Sequence, residues 1–407
     1  MSFIEVINHV IGDITPSKLE RDKSSLVASN VSMLLADSIK KLGVNAVVSV
    51  CGSYAKGTFL RGSYDIDFFI RFNTESDTVL LKDVVLGVFP MAATVKGSRD
   101  YFKVFFNGFN LEFIPVLLID KPMLAVNSMD ASFFHVDYVN SHINDALRNE
   151  VLLLKQFCRS CGVYGAESYI KGFSGYIVEL LIIHFKGFIN LLKFLDSNPV
   201  DFFIDDEHFF DSPAKAFGAL KIDSSLTPVV IVDPMMPTRN AAAGLSRDSF
   251  NRFLLHARLF LRSPSKSFFA LKPVSLESFT ALSNERGHSL YTHKFTVAGN
   301  PDVFFSKLLK SLGKIADVLN REGFIVFDYG FIPDGTVFFE LERDVLPVTK
   351  RVLGPPLYID SPNLSLFLDK QAVHGPYVFE GRVCFDVNRE HTRAKPLLMR
   401  LLRELKF

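Results

Sequence analysis

The chain has 407 residues, 48% of them hydrophobic, with 45 Lys and Arg against 44 Asp and Glu for a formal net charge of +1. That length gives about two to four domains with ample core. The balanced charge excludes capture of nucleic acid by a strong overall field, so such a partner must meet a local basic face. Four scattered cysteines, Cys51, Cys158, Cys161 and Cys384, exclude a secreted disulfide framework and fit a reducing cytoplasm. Cys158-x-x-Cys161 lacks the second pair of a structural zinc site and reads as helix packing. No basic segment leads into an apolar run at the N-terminus, so no secretory signal is expected.

Residues 24–42, SSLVASNVSMLLADSIKKL, place Val27, Val31, Leu34, Leu35 and Ile39 at helical spacing and stop at Gly43. NAVVSVCGS then predicts a strand ending in a tight turn, YAKGTFL a short helix or turn, and DIDFFIRF a second strand. In YFKVFFNGFNLEFIPVLLI (101–119), Asn107-Gly108 separates two β-rich runs and predicts a hairpin. The period turns helical at NEVLLLKQFCRSCG, which ends at Gly162. FSGYIVELLIIHFKGFINLLKFL (173–195) reads as one long buried helix, because Glu179, His184, Lys186 and Lys193 would all lie in hydrocarbon if it crossed a membrane.

Residues 227–261 predict a short strand, a Pro-rich turn and a helix with an Ala-rich start, and RSPSKS (262–267) a linker. Beyond it FTVAG is strand-like, 301–321 is helical, and GFIVFDYGFIPDGTVFFELE gives two strands joined by a Pro-Asp-Gly turn. GPPLYIDSPNLSLFLDK and GPYVFEGRVCFDV continue this α/β region, and a basic amphipathic helix follows Pro396. No internal repeat or low-complexity tract is present.

The chemistry concentrates in CGSYAKGTFLRGSYDIDFFIRF (51–72). In a strand Asp65 and Asp67 project to the same side, roughly 7 Å apart. Two repelling carboxylates approached through a hydrophobic run become tolerable around a divalent cation. Glu112, within NLEFIPV, shares a strand face with Asn110 and Ile114. Beside the 65–70 strand it completes a three-carboxylate cluster able to hold two Mg²⁺ ions for phosphoryl or nucleotidyl transfer. Gly52 and Ser53 offer a backbone free of Cβ clash, a hydroxyl and a helix start to a triphosphate, and Lys56 adds charge. Alone, an Asp-x-Asp is more often a solvated edge and a Gly-Ser is uninformative. Their spacing, the flanking FFI and Glu112 together favour the metal site.

GSYAKGTFLRGSYDID resembles the signature of the polymerase β-type nucleotidyltransferases, and among them the archaeal, class I CCA-adding enzymes, which build the CCA end of tRNA without a nucleic-acid template. NEVLLLKQFCRSCGVYGAESYIKGFSGYIVELLI (149–182), DPMMPTRNAAAGLS (233–246), GPPLYI (354–359) and GPYVFEGR (375–382) resemble further segments of that family, in its order. The resemblance implies metal ligation by Asp65, Asp67 and Glu112. It implies nucleotide contacts from Gly52, Ser53, Lys56, His135, Lys155 and Tyr164, and selection of the incoming base by Arg239. The family more often has Glu at position 65, Asp at 112 and Arg at 56. The first two exchanges keep three carboxylates, whereas Lys56 keeps charge and loses a bidentate fork.

The residues themselves speak more softly. Lys155 on the apolar face of VLLLKQF either reaches an anion or snorkels. Tyr164 fits a ribose or base stack and the core equally, and His135 alone reads as a structural histidine. Lys307, Lys310, Lys314 and Arg321 on one predicted helix, with Arg393, Lys395, Arg400, Arg403 and Lys406 on the last, offer faces that can track a phosphate backbone.

The expected fold is a multidomain α/β one. An N-terminal nucleotidyltransferase domain with a small mixed sheet spans 1–130, a helical nucleotide-selecting domain spans 131–262, and an α/β tRNA-binding region spans 263–407. The expected reaction is addition of C, C and A from CTP and ATP to the 3′ end of tRNA, with release of pyrophosphate, in the cytoplasm and away from membranes. Whether two copies pair as a homodimer stays open. The competing readings are a poly(A)- or oligoadenylate-type polymerase and an RNA-binding protein with an inactive nucleotidyltransferase domain.

Overall fold

The computed structural model describes residues 3–198, 201–223, 225–271, 275–358, 363–369 and 372–407. The chain divides into two compact units, Met1–Lys272 and Pro273–Phe407.

The first unit opens with α1 (Phe3–Ile14) and α2 (Lys18–Leu42). Ser17 and Glu20 form a capping box at the start of α2, and Gly43 in the left-handed region closes it. Then follow β1 (Ala46–Cys51), α3 (Gly52–Lys56), β2 (Asp65–Phe72), α4 (Leu81–Leu86), β3 (Ala93–Val95), β4 (Tyr101–Phe106) and β5 (Phe109–Leu117). The strands form one mixed sheet in the order β1-β2-β5-β4-β3. Strand alternation sends Ile66, Phe68, Ile70 and Phe72 to one face, where they pack with Val27, Val31, Leu35 and Ile39 of α2 and with Leu81, Val84 and Val85 of α4. Asn107 and Gly108, both at positive φ, turn β4 into β5, as expected of a two-residue hairpin.

Helices dominate next: α5 (Ser128–His142), α6 (Asp145–Ser160), α7 (Gly175–Phe185), α8 (Phe188–Ser197), α9 (Pro213–Leu220) and α10 (Arg247–Arg262), with the short strands β6 (Phe202–Ile204), β7 (Val229–Asp233) and β8 (Met236–Asn240) among them. The single helix expected over 173–195 is two. Lys186 adopts a left-handed cap at φ 56, Gly187 opens to φ 151, and the Phe188 N–H donates to Glu150 Oε2 at 2.8 Å. Both halves are apolar, so periodicity alone runs straight through the break. The Ala-rich segment is a turn rather than a helix start: Asn240 Oδ1 accepts from the Ile231 and Ala242 amides, and α10 begins only after the Ser246 cap. Beyond 262–267, Phe268 and Phe269 pack onto the helical core, which also buries Cys158.

The second unit carries α11 (Leu276–Arg286), β9 (Ser289–Lys294), α12 (Pro301–Glu322), β10 (Ile325–Phe331), β11 (Thr336–Arg343), β12 (Thr349–Pro356), α13 (Asn363–Leu368), β13 (His374–Phe379), β14 (Arg382–Asn388) and α14 (Ala394–Glu404). Two sheets form, β10-β11-β9 and β12-β14-β13. The Pro-Asp-Gly turn joins β10 to β11, with Gly335 at φ 87. FTVAG is not a strand, because β9 ends at Lys294, just ahead of it. Residues 359–362 and 370 of the expected GPPLYIDSPNLSLFLDK segment lie outside the described residues. The architecture is thus the expected α/β one: a small mixed sheet, a helical middle and a C-terminal α/β region. Among the described residues no helix is long and apolar enough to cross a membrane.

Candidate active site

β2 and β5 run parallel, in a register that pairs Asp65 with Asn110 and Asp67 with Glu112. Because side chains alternate, all four occupy the face opposite α2. Farther along this face, Phe69, Ile114 and Val116 are covered by Met129, Phe133 and Val136 of α5. None of the four polar side chains belongs to that apolar cluster.

The Asp67 carboxyl is pushed up to about 7 by burial and then by the negative charges of Glu112 and Asp65. Three anionic groups in one partly desolvated corner call for positive charge. Lys103, opposite Glu112 on β4, supplies some, its Nζ lying 2.6 Å from Glu112 Oε1. Asn110 Nδ2 donates to Asp65 Oδ1 at 3.0 Å. With Glu112 held by Lys103, no three acidic, histidine or cysteine side chains among the described residues already converge as a cage for an ion. The donor set nevertheless suits a hard divalent cation: carboxylate oxygens only, on adjacent strands, with one acid kept from ionising freely by burial and by its neighbours.

Gly52 shapes this corner. A Cβ built on it would lie 1.7 Å from Asp67 Oδ2, and its φ is +65. Only glycine lets the Asp67 carboxylate rest against the turn. α3 is five residues long, so what the turn offers a phosphate is its backbone and the Ser53 hydroxyl rather than an extended helix end. Cys51, opposite Asp67, is inert, its thiol pushed up to about 12 by burial and by Asp67.

A second group lies behind the turn. Lys56 Nζ donates to Glu179 Oε2 at 2.7 Å, and Thr58 Oγ1 donates to Glu179 Oε1 at 2.7 Å. Lys155 Nζ donates to the Thr58 carbonyl at 2.9 Å and lies 3.4 Å from Glu179 Oε1. All four residues are buried. Burial would raise the Glu179 carboxyl, but the two ammonium groups outweigh it and lower it, while burial lowers Lys155. Two cations around one anion leave a net positive centre behind the turn. Ser53, Thr58, Asp65, Asn110, Lys155 and Tyr164 line one cleft of about 360 Å³.

A third group gathers on Asp233, which is fully buried at the end of β7. Arg239 Nη1 donates to Asp233 Oδ2 at 2.6 Å, and the Tyr176 hydroxyl donates to Oδ1 at 3.2 Å. His135 stacks on the Tyr176 ring, centroids 3.9 Å apart, and its Nε2 lies 3.3 Å from Asp233 Oδ2 without hydrogen-bond alignment. Lys56 Nζ sits 5.4 Å from the centroid of the Tyr176 ring, a cation–π distance. Tyr176 therefore touches both the lysine group and the arginine group.

The structure thus places Gly52, Ser53, Asp65, Asp67 and Glu112 at one end of the sheet. Lys56, Lys155 and Tyr164 stand behind and beside the cleft, and His135 and Arg239 sit on Asp233. Thr58, Tyr176, Glu179 and Asp233 do not emerge from motif reasoning, although Glu179 in GYIVELLIIHF and Asp233 in VVIVD carry a signal: a lone acid in an apolar run needs a buried partner.

Family models match three stretches of the chain: a nucleotidyltransferase domain over 32–120, the second domain of tRNA nucleotidyltransferase over 149–270, and the C-terminal domain of the CCA-adding enzyme over 286–406. The CCA-adding enzyme of Methanoregula boonei is 32% identical over 406 residues, covering 95% of this chain and 84% of the relative. That of Methanosarcina barkeri is 31% identical over 408 residues, covering 96% and 87%. Among solved structures, a cytoplasmic RNA terminal U-transferase aligns over 67% of this chain and 99% of its own at TM-score 0.51 and 13% identity, a likeness of fold.

Proposed function

The chain belongs to the CCA-adding enzymes, nucleotidyltransferases that act on tRNA with CTP and ATP, and from that premise we propose that Asp65, Asp67 and Glu112 form its catalytic metal site. The single observation that carries the assignment is the parallel register of β2 and β5, which sets Glu112 beside Asp67 on a shared face. Two Mg²⁺ ions at these oxygens would lower the pKa of the primer 3′-hydroxyl and neutralise charge on the triphosphate and the departing pyrophosphate.

The chain's own residues do the rest. Asp67, pressed against Gly52, gives the site a fixed oxygen, and Asp65 is steadied by Asn110. Glu112, paired with Lys103 in the structure, would hold an ion with its carboxylate oxygens. Ser53 donates to a phosphate oxygen, while Lys56 and Lys155 supply the positive centre and Tyr164 closes the cleft beside Lys155. His135 and Arg239 face the base and sugar. With no template strand, discrimination falls to protein donors whose hydrogen bonds are left unmade by the wrong base.

In this reading 1–130 is catalytic, 131–262 selects the nucleotide and 263–407 holds tRNA, and the enzyme works in the cytoplasm. The exposed lysines and arginines of α12 and α14 support the RNA role. The test is incorporation on tRNA lacking its last three residues, with CTP, ATP, GTP and UTP supplied singly and in pairs. Two C from CTP alone and a completed end from CTP with ATP are expected. Open-ended addition of A would instead identify a poly(A)-type polymerase, and absence of pyrophosphate release with any RNA an inactive binding protein.

A further inference from the structure

Among the described residues Arg239 is held at one end only. Its Nη1 is bound to Asp233, yet 35% of its side chain stays exposed. Asp233 has no exposure and is itself fixed from several directions: the Met235 amide donates to Oδ1 at 2.9 Å, the Tyr176 hydroxyl donates to the same oxygen, and Arg239 takes Oδ2. Such a carboxylate has no freedom to follow a moving guanidinium, so the guanidinium is immobilised against it.

Immobility matters because of what an arginine can read. A guanidinium only donates. On the pairing edge of a base, cytosine and adenine present a bare ring nitrogen, which accepts, whereas uracil and guanine present a ring N–H, which donates. A fixed donor therefore accepts C and A and meets U and G donor against donor. A mobile one swings aside or lets water bridge, and the distinction is lost.

We propose that Asp233, braced by Tyr176, is a positioning residue for base choice: it anchors Arg239 so that the free edge of the guanidinium rejects uracil and guanine. The inference rests on the reading that Arg239 meets the incoming base. Tyr176 adds a connection, since its ring contacts Lys56 and His135 while its hydroxyl holds Asp233. The phosphate end and the base end of the nucleotide are thereby registered against one side chain.

The test compares kcat/KM for CTP with that for UTP, and for ATP with GTP, in Asp233→Asn, Tyr176→Phe and Arg239→Ala, with thermal melting and tRNA affinity measured alongside. Asp233→Asn keeps the shape and removes the charge. It should lower the CTP:UTP ratio about tenfold, chiefly by raising use of UTP relative to CTP. Tyr176→Phe keeps the ring and its stacking, and should lower the ratio by about twofold to fivefold. A uniform loss of rate with all four nucleotides, the ratios unchanged in both variants, would show Asp233 to be structural only. Should Asp233→Asn fail to fold, an unchanged ratio in Tyr176→Phe and in Asp233→Glu overturns the proposal. If Arg239→Ala loses discrimination while the Asp233 variants keep it, the positioning role falls alone. If Arg239→Ala itself discriminates like the parent, the reading of Arg239 falls and the proposal with it.

Discussion

Gly52 illustrates how little room the acidic corner allows. A methyl group there would coincide with Asp67 Oδ2, on a backbone at positive φ that disfavours any side chain. Gly52→Ala should therefore displace the carboxylate and cut nucleotide incorporation by about a hundredfold or more, the usual cost of misplacing a reacting group by an ångström. Retention of parental rates would mean that Asp67 is not a ligand. Asp67→Ala should abolish incorporation while tRNA affinity measured by filter binding stays near the parental value. Asp233 gives a pH-dependent expectation. Burial alone would raise its carboxyl, but His135, the Met235 amide and Arg239 outweigh burial and hold it at about 2. Its folded value lies below the unfolded one, so its stabilisation, about 2 kcal/mol, is complete above the unfolded pKa and disappears as pH falls toward the folded one. Urea unfolding of the parent and Asp233→Asn should show their stability gap narrowing by about 1 kcal/mol between about pH 6 and about pH 3. A gap independent of pH would remove Asp233's charge from the account. The acids at 65 and 67 were legible because alternation puts them together by sequence alone. Glu179 was not, because its partner Lys56 lies 123 positions away.

Elements were legible wherever one local rule decides them. The turn at Asn107-Gly108 needs two residues at positive φ and little else, and both strands follow from it. A Cβ on Gly108 meets nothing within 4 Å, so Gly108→Ala should cost only the backbone strain, about 1 kcal/mol, read as a lower melting temperature with activity per folded molecule retained. A larger loss of activity than of stability would mean that the hairpin does more than set register. The errors share a cause. The α7–α8 break and the Ala241 turn lie in apolar or small-residue stretches, where the deciding contacts come from distant groups, Glu150 for one and the Ile231 amide for the other. FTVAG has the composition of a strand, but β11, the partner of β9, pairs only as far as Lys294 opposite Thr336.

Across the whole molecule charge nearly cancels, so attraction for RNA must be local. Lys307, Lys310, Lys314 and Arg321 are exposed on α12, and Arg393, Lys395, Arg400, Arg403 and Lys406 are exposed on or beside α14 in the same unit. Replacing Lys310, Lys314 and Arg321 together by alanine should weaken tRNA binding and reduce the slope of log affinity against log salt by about two, with little change in CTP or ATP affinity. An unchanged slope would put the RNA elsewhere. Assembly order is the other whole-molecule property. β5 is an inner strand, flanked by β2 on one edge and β4 on the other, and Glu112 leaves the ribosome 45 residues after Asp67. A nascent chain that has not yet seated that strand has neither a finished sheet nor its last acid. On the proposed metal site, one insertion both completes the scaffold and supplies the third ligand, so a half-built molecule would have no means of spending CTP.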